Sequence, residues 1–477
     1  MNFSGRMSDI DLLRGQLRQV STGQDGTRGR ALIMTGRRRV GKSRLAQEFC
    51  DRSGAPYVIF QATRGRNPAA ERADFSETLA QSTLPGAELA AGMGTADWNH
   101  ALRALAIAVP DTTPSIAVID EVPWLVEQDR EFEGALQTVW DRQLSAKPVL
   151  LVLVGSDMSV MEALGHYGRP FFGRAPKMTV RPLHLADVGS ITGLSADAAV
   201  DALLITGGFP EVVAAWRVGM SREDYLREAL TNPLSPLLMA GELTMLGEFP
   251  EASQSRAVLA AVGSGERGFT AIATAAGGAN PLASGTLSPI LTTLVDKQVV
   301  AADSPLSTRP DTKNKRYRVA DSYLRFWLAF LARGIPLVER GRGDIVLGRI
   351  ERSWTTWRGR AVEPVVREAL LRLLPDEDWP DTEAIGGWWN RQNNPEIDIV
   401  GADREPVAGK VHFLGSIKWL ENQPFGRRDY DSLVRDMLAV PGAEPGTPLI
   451  AVSRRGIADN VPLAAHWGPD DLIRAWQ

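Results

Sequence analysis

The sequence predicts an α/β chain of several domains, led by a parallel sheet covered by helices and ending in a second α/β unit. Three observations carry that expectation. Apolar runs of strand length, Ala31–Thr35, Tyr57–Phe60, Ser115–Asp120 and Val149–Val154, alternate with helical stretches. Strands that alternate with helices form parallel sheets whose ligands sit at the strands' C-terminal ends. The first run leads directly into a basic, glycine-containing loop and then a helix. Finally, tryptophan usage shifts: Trp354, Trp357, Trp379, Trp388, Trp389, Trp419, Trp467 and Trp476, out of 13 in all, follow residue 353 and mark a separate domain. With 477 residues there is room for about three domains of roughly 100–200 residues each.

Composition excludes several classes. Apolar residues make up 44% and charged residues 23%, a globular balance. The formal charge of -4, from 53 basic and 57 acidic residues, excludes a polycation, so nucleic-acid binding has to come from a local patch. Cys50 is alone, which excludes an intrachain disulfide and a thiolate zinc cluster. His100, His166, His184, His412 and His466 are scattered without ligand spacing. The first residues lack the apolar core of a signal peptide. The tightest apolar runs, Val149–Val154 and Phe326–Ala332, are too short to span a bilayer. The expectation is a soluble, cytoplasmic protein with no membrane partner.

Strand Ala31–Thr35, then Gly36-Arg37-Arg38-Arg39-Val40-Gly41-Lys42-Ser43, then the helical Arg44–Phe49, is the context that turns a short pattern into a P-loop. Gly36 and Gly41 let backbone N–H groups face phosphate oxygens, and the helix N-terminus adds positive potential. Residues Gly36 to Arg44 are the expected nucleotide-binding set for ATP or ADP. Lys42 is expected on the β- and γ-phosphates, and Ser43 on Mg²⁺. The run Ser115–Asp120 ends in Asp120-Glu121. Asp120 is the expected magnesium partner, and Glu121 the base that orients and deprotonates the attacking water. Ser156, after Val149–Gly155, falls on the same sheet edge, as a γ-phosphate sensor or as a strand cap.

The loop GRRRVGKSRL, the strand end VIDEVPWL, LVLVGSDMSVMEAL and GRPFFGRAP together resemble prokaryotic ATPases of the AAA+/STAND class, over Phe3 to about Lys418. In many of these an ATPase module precedes a winged helix and a C-terminal nuclease-like domain. The resemblance implies that Phe3-x-Gly5-Arg6 packs near the adenine, that Asp157 and Met158 continue the strand-end motif, and that Gly207–Pro210 is a lid motif. It also implies that Arg174, in Gly173-Arg174, is a catalytic arginine on the γ-phosphate within one subunit or across a homo-oligomer. Arg169 is the other candidate.

The expected domains are a core over 1–180, a helical lid over 181–250, a winged helix over 251–335 and a nuclease-like domain over 345–477. The winged helix is read from helices at Ser253–Val262, Thr270–Ala276 (with Thr270 as N-cap) and Thr286–Val300, where Pro289 sits in the first turn. Strands Val299–Ala302 and Arg316–Val319 complete it. Lys313, Lys315, Arg316 and Arg318 are candidate DNA contacts on a basic wing, with a protein-docking module as the alternative. Tyr323–Leu331 is expected to be a core helix.

In the last third, a helix over Gly359–Leu374, a hairpin and a further strand resemble the PD-(D/E)xK nuclease superfamily. The resemblance implies Glu363 and Asp398 as metal carboxylates and Lys418 as the residue that positions the water. Ser416 stands where that pattern has an acid. A neutral hydroxyl does not replace a carboxylate at a divalent cation, so the domain is expected to be degenerate, binding nucleic acid or a partner rather than cutting DNA.

Overall fold

The structure is a computed structural model that describes residues 3–21, 28–91, 93, 95–248, 253–311 and 313–477. It divides into two compact units, Met1–Pro182 and Leu183–Gln477. The expected lid boundary at 250/251 falls within 249–252, outside the described residues.

The first unit is built on β1 (Arg30–Thr35), β2 (Tyr57–Gln61), β3 (Ser115–Asp120), β4 (Val149–Gly155) and β5 (Lys177–Thr179), all parallel, in the order β2-β3-β4-β1-β5. β3 and β4 are buried along their whole length, which is why they read as unbroken apolar runs rather than alternating ones. Register sets the functional edge: Thr35 pairs with Gly155, and Asp120 with Gln61. On one face of the sheet, Phe60, Phe75, Trp98 and Phe132 form a chain of edge-to-face rings with centroids 5.0, 5.8 and 5.0 Å apart. Such pairs contribute about 0.5–1.5 kcal/mol each beyond area burial.

The second unit opens with helices. Leu185–Thr192 and Ala196–Thr206 meet at 107°, and Leu185, Ala199, Val200 and Leu204 lie in its core. No single helix among the described residues is long and apolar enough to cross a membrane. Helices Ser253–Gly263, Phe269–Gly277 and Ser284–Asp296 precede the antiparallel pair β6 (Val300–Asp303) and β7 (Arg316–Val319). Two local expectations are corrected. Gly268, not Thr270, caps the second helix. The third starts at Ser284, which puts Pro289 inside it rather than in its first turn.

Tyr323–Leu331 is not one α-helix but Ser322–Phe326 followed by a π-helical turn, Trp327–Leu331. Trp327 Nε1 donates to the Leu238 carbonyl at 3.0 Å, and Tyr323 Oη to the Leu237 carbonyl at 2.8 Å. The expected helix Gly359–Leu374 is also two helices, Gly343–Ala361 and Glu363–Leu373. Pro364 is the reason: it has no N–H to donate four residues back. The Arg360 carbonyl it leaves open accepts from Arg325 Nη2 at 3.2 Å.

The C-terminal sheet has β8 (Ala384–Trp389), β9 (Glu396–Ala402), β10 (Val411–Lys418), β11 (Leu449–Ser453) and β12 (Ala465–Trp467) in sequential order. The first three strands pair antiparallel and the last three parallel. Buried Arg358 bonds Asp201 and Glu421 at 3.1 Å, and Arg454 bonds Asp201 at 2.9 Å and Asp197 at 3.0 Å. This network fastens the opening helices to the C-terminal sheet. The expected class therefore stands: a parallel-sheet α/β core with a separate C-terminal α/β sheet.

Candidate functional site

The loop between β1 and the helix Lys42–Ser53 has the backbone its sequence requires. Gly36 has φ 153°, and a Cβ there would stand 2.3 Å from the Val180 carbonyl oxygen, so only glycine fits. Gly41, at φ 88°, caps the helix with no side chain in the way, leaving its first N–H groups open to an anion. Arg39 also takes a left-handed φ of 66°. Val40 is fully buried, and its carbonyl accepts from buried Arg6, which also bonds Asp9 at 3.0 Å.

Lys42 folds back over the loop and donates to the Gly36 and Arg37 carbonyls at 2.8 and 3.0 Å. Burial pushes its ammonium down from 10.5 to about 8, against the pull of Glu121 and Asp120. The Asp120 carboxylate accepts from the Glu121 N–H at 2.9 Å. Glu121 itself sits at φ 57°, ahead of the helix Val122–Gln128, and its carboxylate accepts from Ser156 Oγ at 3.2 Å. Burial first, then the Asp120 charge, raise the Glu121 carboxyl above its usual range. One ammonium, two carboxylates and one hydroxyl therefore meet at the ends of three neighbouring strands. Ser43 and Arg38 are exposed, and Arg44 pairs with Glu48 at 3.1 Å. This donor set fits a magnesium nucleotide: Ser43 and Asp120 supply hard oxygens, and magnesium needs only one or two such protein ligands besides phosphate and water.

The candidate arginines are placed differently. Arg174 grips both oxygens of Asp141 at 2.7 Å and donates to the Pro170 and Phe172 carbonyls at 2.9 Å. Arg169 pairs with Glu133. In this structure, then, the Arg174 guanidinium is bound by carboxylate and loop carbonyls and is not offered to a γ-phosphate. Arg6 escaped the sequence reading as a clasp on the loop. Its partner is 34 positions away, and its only signal is an arginine just before the first helix.

In the C-terminal unit, Asp398, Ser416 and Lys418 line a cavity of about 720 Å³. Asp398 accepts from Ser416 Oγ at 2.9 Å and from the Ile417 N–H at 2.8 Å, while Lys418 pairs with Asp429 at 2.7 Å. Glu363 stands outside this lining, bonded to Arg367 at 3.3 Å and Arg267 at 3.7 Å. Two guanidiniums thus neutralise one of the carboxylates expected at a metal. Among the described residues no group of three His, Cys, Asp or Glu is placed to hold a metal ion.

Burial first, then Glu363, push the Asp398 carboxyl up from 3.8 to about 6. A raised carboxyl pKa means the folded state holds its proton more tightly. The ionised form therefore costs stability above about pH 6, and the cost fades as pH falls toward 4. That rise corresponds to roughly 3 kcal/mol. Asp398→Asn is expected to raise the unfolding temperature near pH 7.5, with the difference closing near pH 4, in a thermal-melt series.

The basic segment is largely spoken for. Arg316 is buried, paired with Glu396, bonded to Asn393 at 2.7 Å and laid over the Trp389 ring at 4.3 Å. Arg318 bonds Asp303 at 2.8 Å. Neither is a free DNA contact, because each is neutralised within the fold; Lys313 and Lys315 remain exposed.

Comparisons place the chain among known proteins at low identity. A family model described as archaeal and bacterial proteins of unknown function matches residues 327–428. An uncharacterized protein of Methanocaldococcus jannaschii is 23% identical over 427 residues, 88% of this chain and 89% of that protein. Among solved structures, the Walker-type ATPase paby2304 of Pyrococcus abyssi aligns with a TM-score of 0.49 at 16% identity, over 68% of this chain and 96% of that one. The ORC2 protein of Aeropyrum pernix, solved as ADPNP–ADP complexes, aligns at 0.48 and 13%, over 72% and 96%.

Proposed function

We propose that the chain binds ATP with Mg²⁺ at the Gly36–Arg44 loop and hydrolyses it, using the cycle to drive or gate a conformational switch that acts on or near DNA. The observation that carries this reading is the meeting of Lys42, Asp120, Glu121 and Ser156 at one strand edge beside an open helix N-terminus. Lys42, whose ammonium is poorly solvated by burial, exchanges two carbonyl partners for phosphate oxygens. Asp120 and Ser43 hold the cation, and Ser156 keeps Glu121 turned toward the water it deprotonates. DNA contact through the expected wing is reduced to Lys313 and Lys315. Two phosphate contacts give weak binding that fades with salt. In the C-terminal domain, with Glu363 tied to arginines, recognition is favoured over strand cleavage.

The test is steady-state phosphate release from purified chain with MgATP, with and without duplex DNA. Turnover dependent on Mg²⁺ and stimulated by DNA supports the whole reading. Turnover without stimulation retains the ATPase and removes DNA, and absence of turnover removes both.

A further inference from the structure

A second cavity, of about 460 Å³, opens in the unit Leu183–Gln477 between the helix Ser253–Gly263, β7, the π-helical turn and the helix Gly343–Ala361. That size suits a small ligand. Its lining holds five arginines, Arg267, Arg318, Arg325, Arg352 and Arg360, and no carboxylate among the described residues. Two of the five are compensated from behind: Arg267 by Glu363 and Glu396 at 3.7 and 3.6 Å, and Arg318 by Asp303 at 2.8 Å. Arg325, Arg352 and Arg360 have no carboxylate partner among the described residues. Among the described residues the Arg325 side chain donates one hydrogen bond, to the Arg360 carbonyl at 3.2 Å.

Burial first, then the neighbouring Arg267, push Arg325 down to about 10, against the pull of Glu363 and Asp303, which stand beyond ion-pair distance. Placement in the last turn of a helix accounts for Arg360 and for Arg325, which ends the helix Ser322–Phe326, but not for Arg352. Arg352, Thr356 and Arg360 recur at four-residue spacing, which sets them on one helix face, and all three line the cavity. Tyr317, Phe330 and Trp357 line it too. Guanidiniums that lack anions, next to aromatic surface, match a group that is anionic at one end and a flat ring at the other.

We propose that this cavity is a second ligand site, distinct from the P-loop, that binds a phosphate-bearing nucleotide: phosphates on Arg325, Arg352 and Arg360, base against the rings. The same chemistry occurs in a free nucleotide and in the 5′-phosphorylated end of a nucleic-acid strand. The site does not depend on the P-loop reading.

The experiment counts ADP sites on the full chain by calorimetry in four forms: unaltered, Lys42→Ala, Arg352→Gln/Arg360→Gln, and all three substitutions together. Arg352 and Arg360 are exposed, so their replacement leaves the fold intact, which unchanged thermal melts check. The expected counts are two, one, one and none, with the arginine-dependent site at least ten-fold weakened by the double substitution. A 5′-phosphorylated trinucleotide and its dephosphorylated form are titrated in parallel. Arginine-dependent binding of the phosphorylated strand in preference to ADP assigns the site to strand ends, and the reverse to free nucleotide. If the double substitution changes neither count nor affinity for ADP or strand, the proposal is overturned. If the P-loop reading alone fails, Lys42→Ala changes nothing while the arginine-dependent site persists.

Discussion

Lys42→Ala is expected to weaken MgATP binding at the P-loop by 100-fold or more while leaving the nucleotide-free protein about as stable as before. Two opposing terms decide the second half. Burial lowers the lysine from 10.5 to about 8, so the ammonium costs the empty protein about 3 kcal/mol at neutral pH. The variant sheds that cost and loses two charge-assisted hydrogen bonds, to the Gly36 and Arg37 carbonyls, each contributing about 1.5 kcal/mol or more. The terms nearly cancel. With nucleotide present nothing compensates, because phosphate oxygens lose a buried cation. Binding titrations and thermal melts with and without MgATP check both halves: the melting temperature stays within a few degrees, and its rise with nucleotide at this site disappears.

Glu121→Gln has the opposite signature. Binding persists while turnover falls by about 10²–10⁴, the usual contribution of a positioned general base. Burial and Asp120 raise the carboxyl pKa, and a base works only when ionised. Turnover by the unaltered protein should therefore climb as pH rises through that raised range and then level off. The glutamine variant lacks the climb. Rates measured across pH for both proteins check this, and a variant turning over at the parental rate removes Glu121 as the base.

The parts of the fold that were legible are those set by short stretches. β3 and β4 announce themselves because both faces are buried, and the loop because Gly36, Gly41 and Lys42 each have one local job. The misses are long-range or compensating. Arg316 reads as a wing cation until Glu396, 80 positions on, is beside it. Arg174 reads as a phosphate contact until Asp141 takes two of its three guanidinium nitrogens and loop carbonyls the third. The break at Val362 had a visible signal in Pro364, and the apolar stripe from Val362 to Leu374 belongs to the second helix, Glu363–Leu373. The arginine cavity was illegible for a related reason, since its lining comes from four separate elements.

The most direct measurement is amide hydrogen exchange of the full chain with and without MgATP. The account predicts slowed exchange across Gly36–Ser43 and at Asp120–Glu121, where backbone N–H groups take up phosphate and the cation orders the strand end, and no such slowing in Lys42→Ala. Unchanged exchange at Gly36–Ser43 with MgATP bound elsewhere, or not bound, would contradict it.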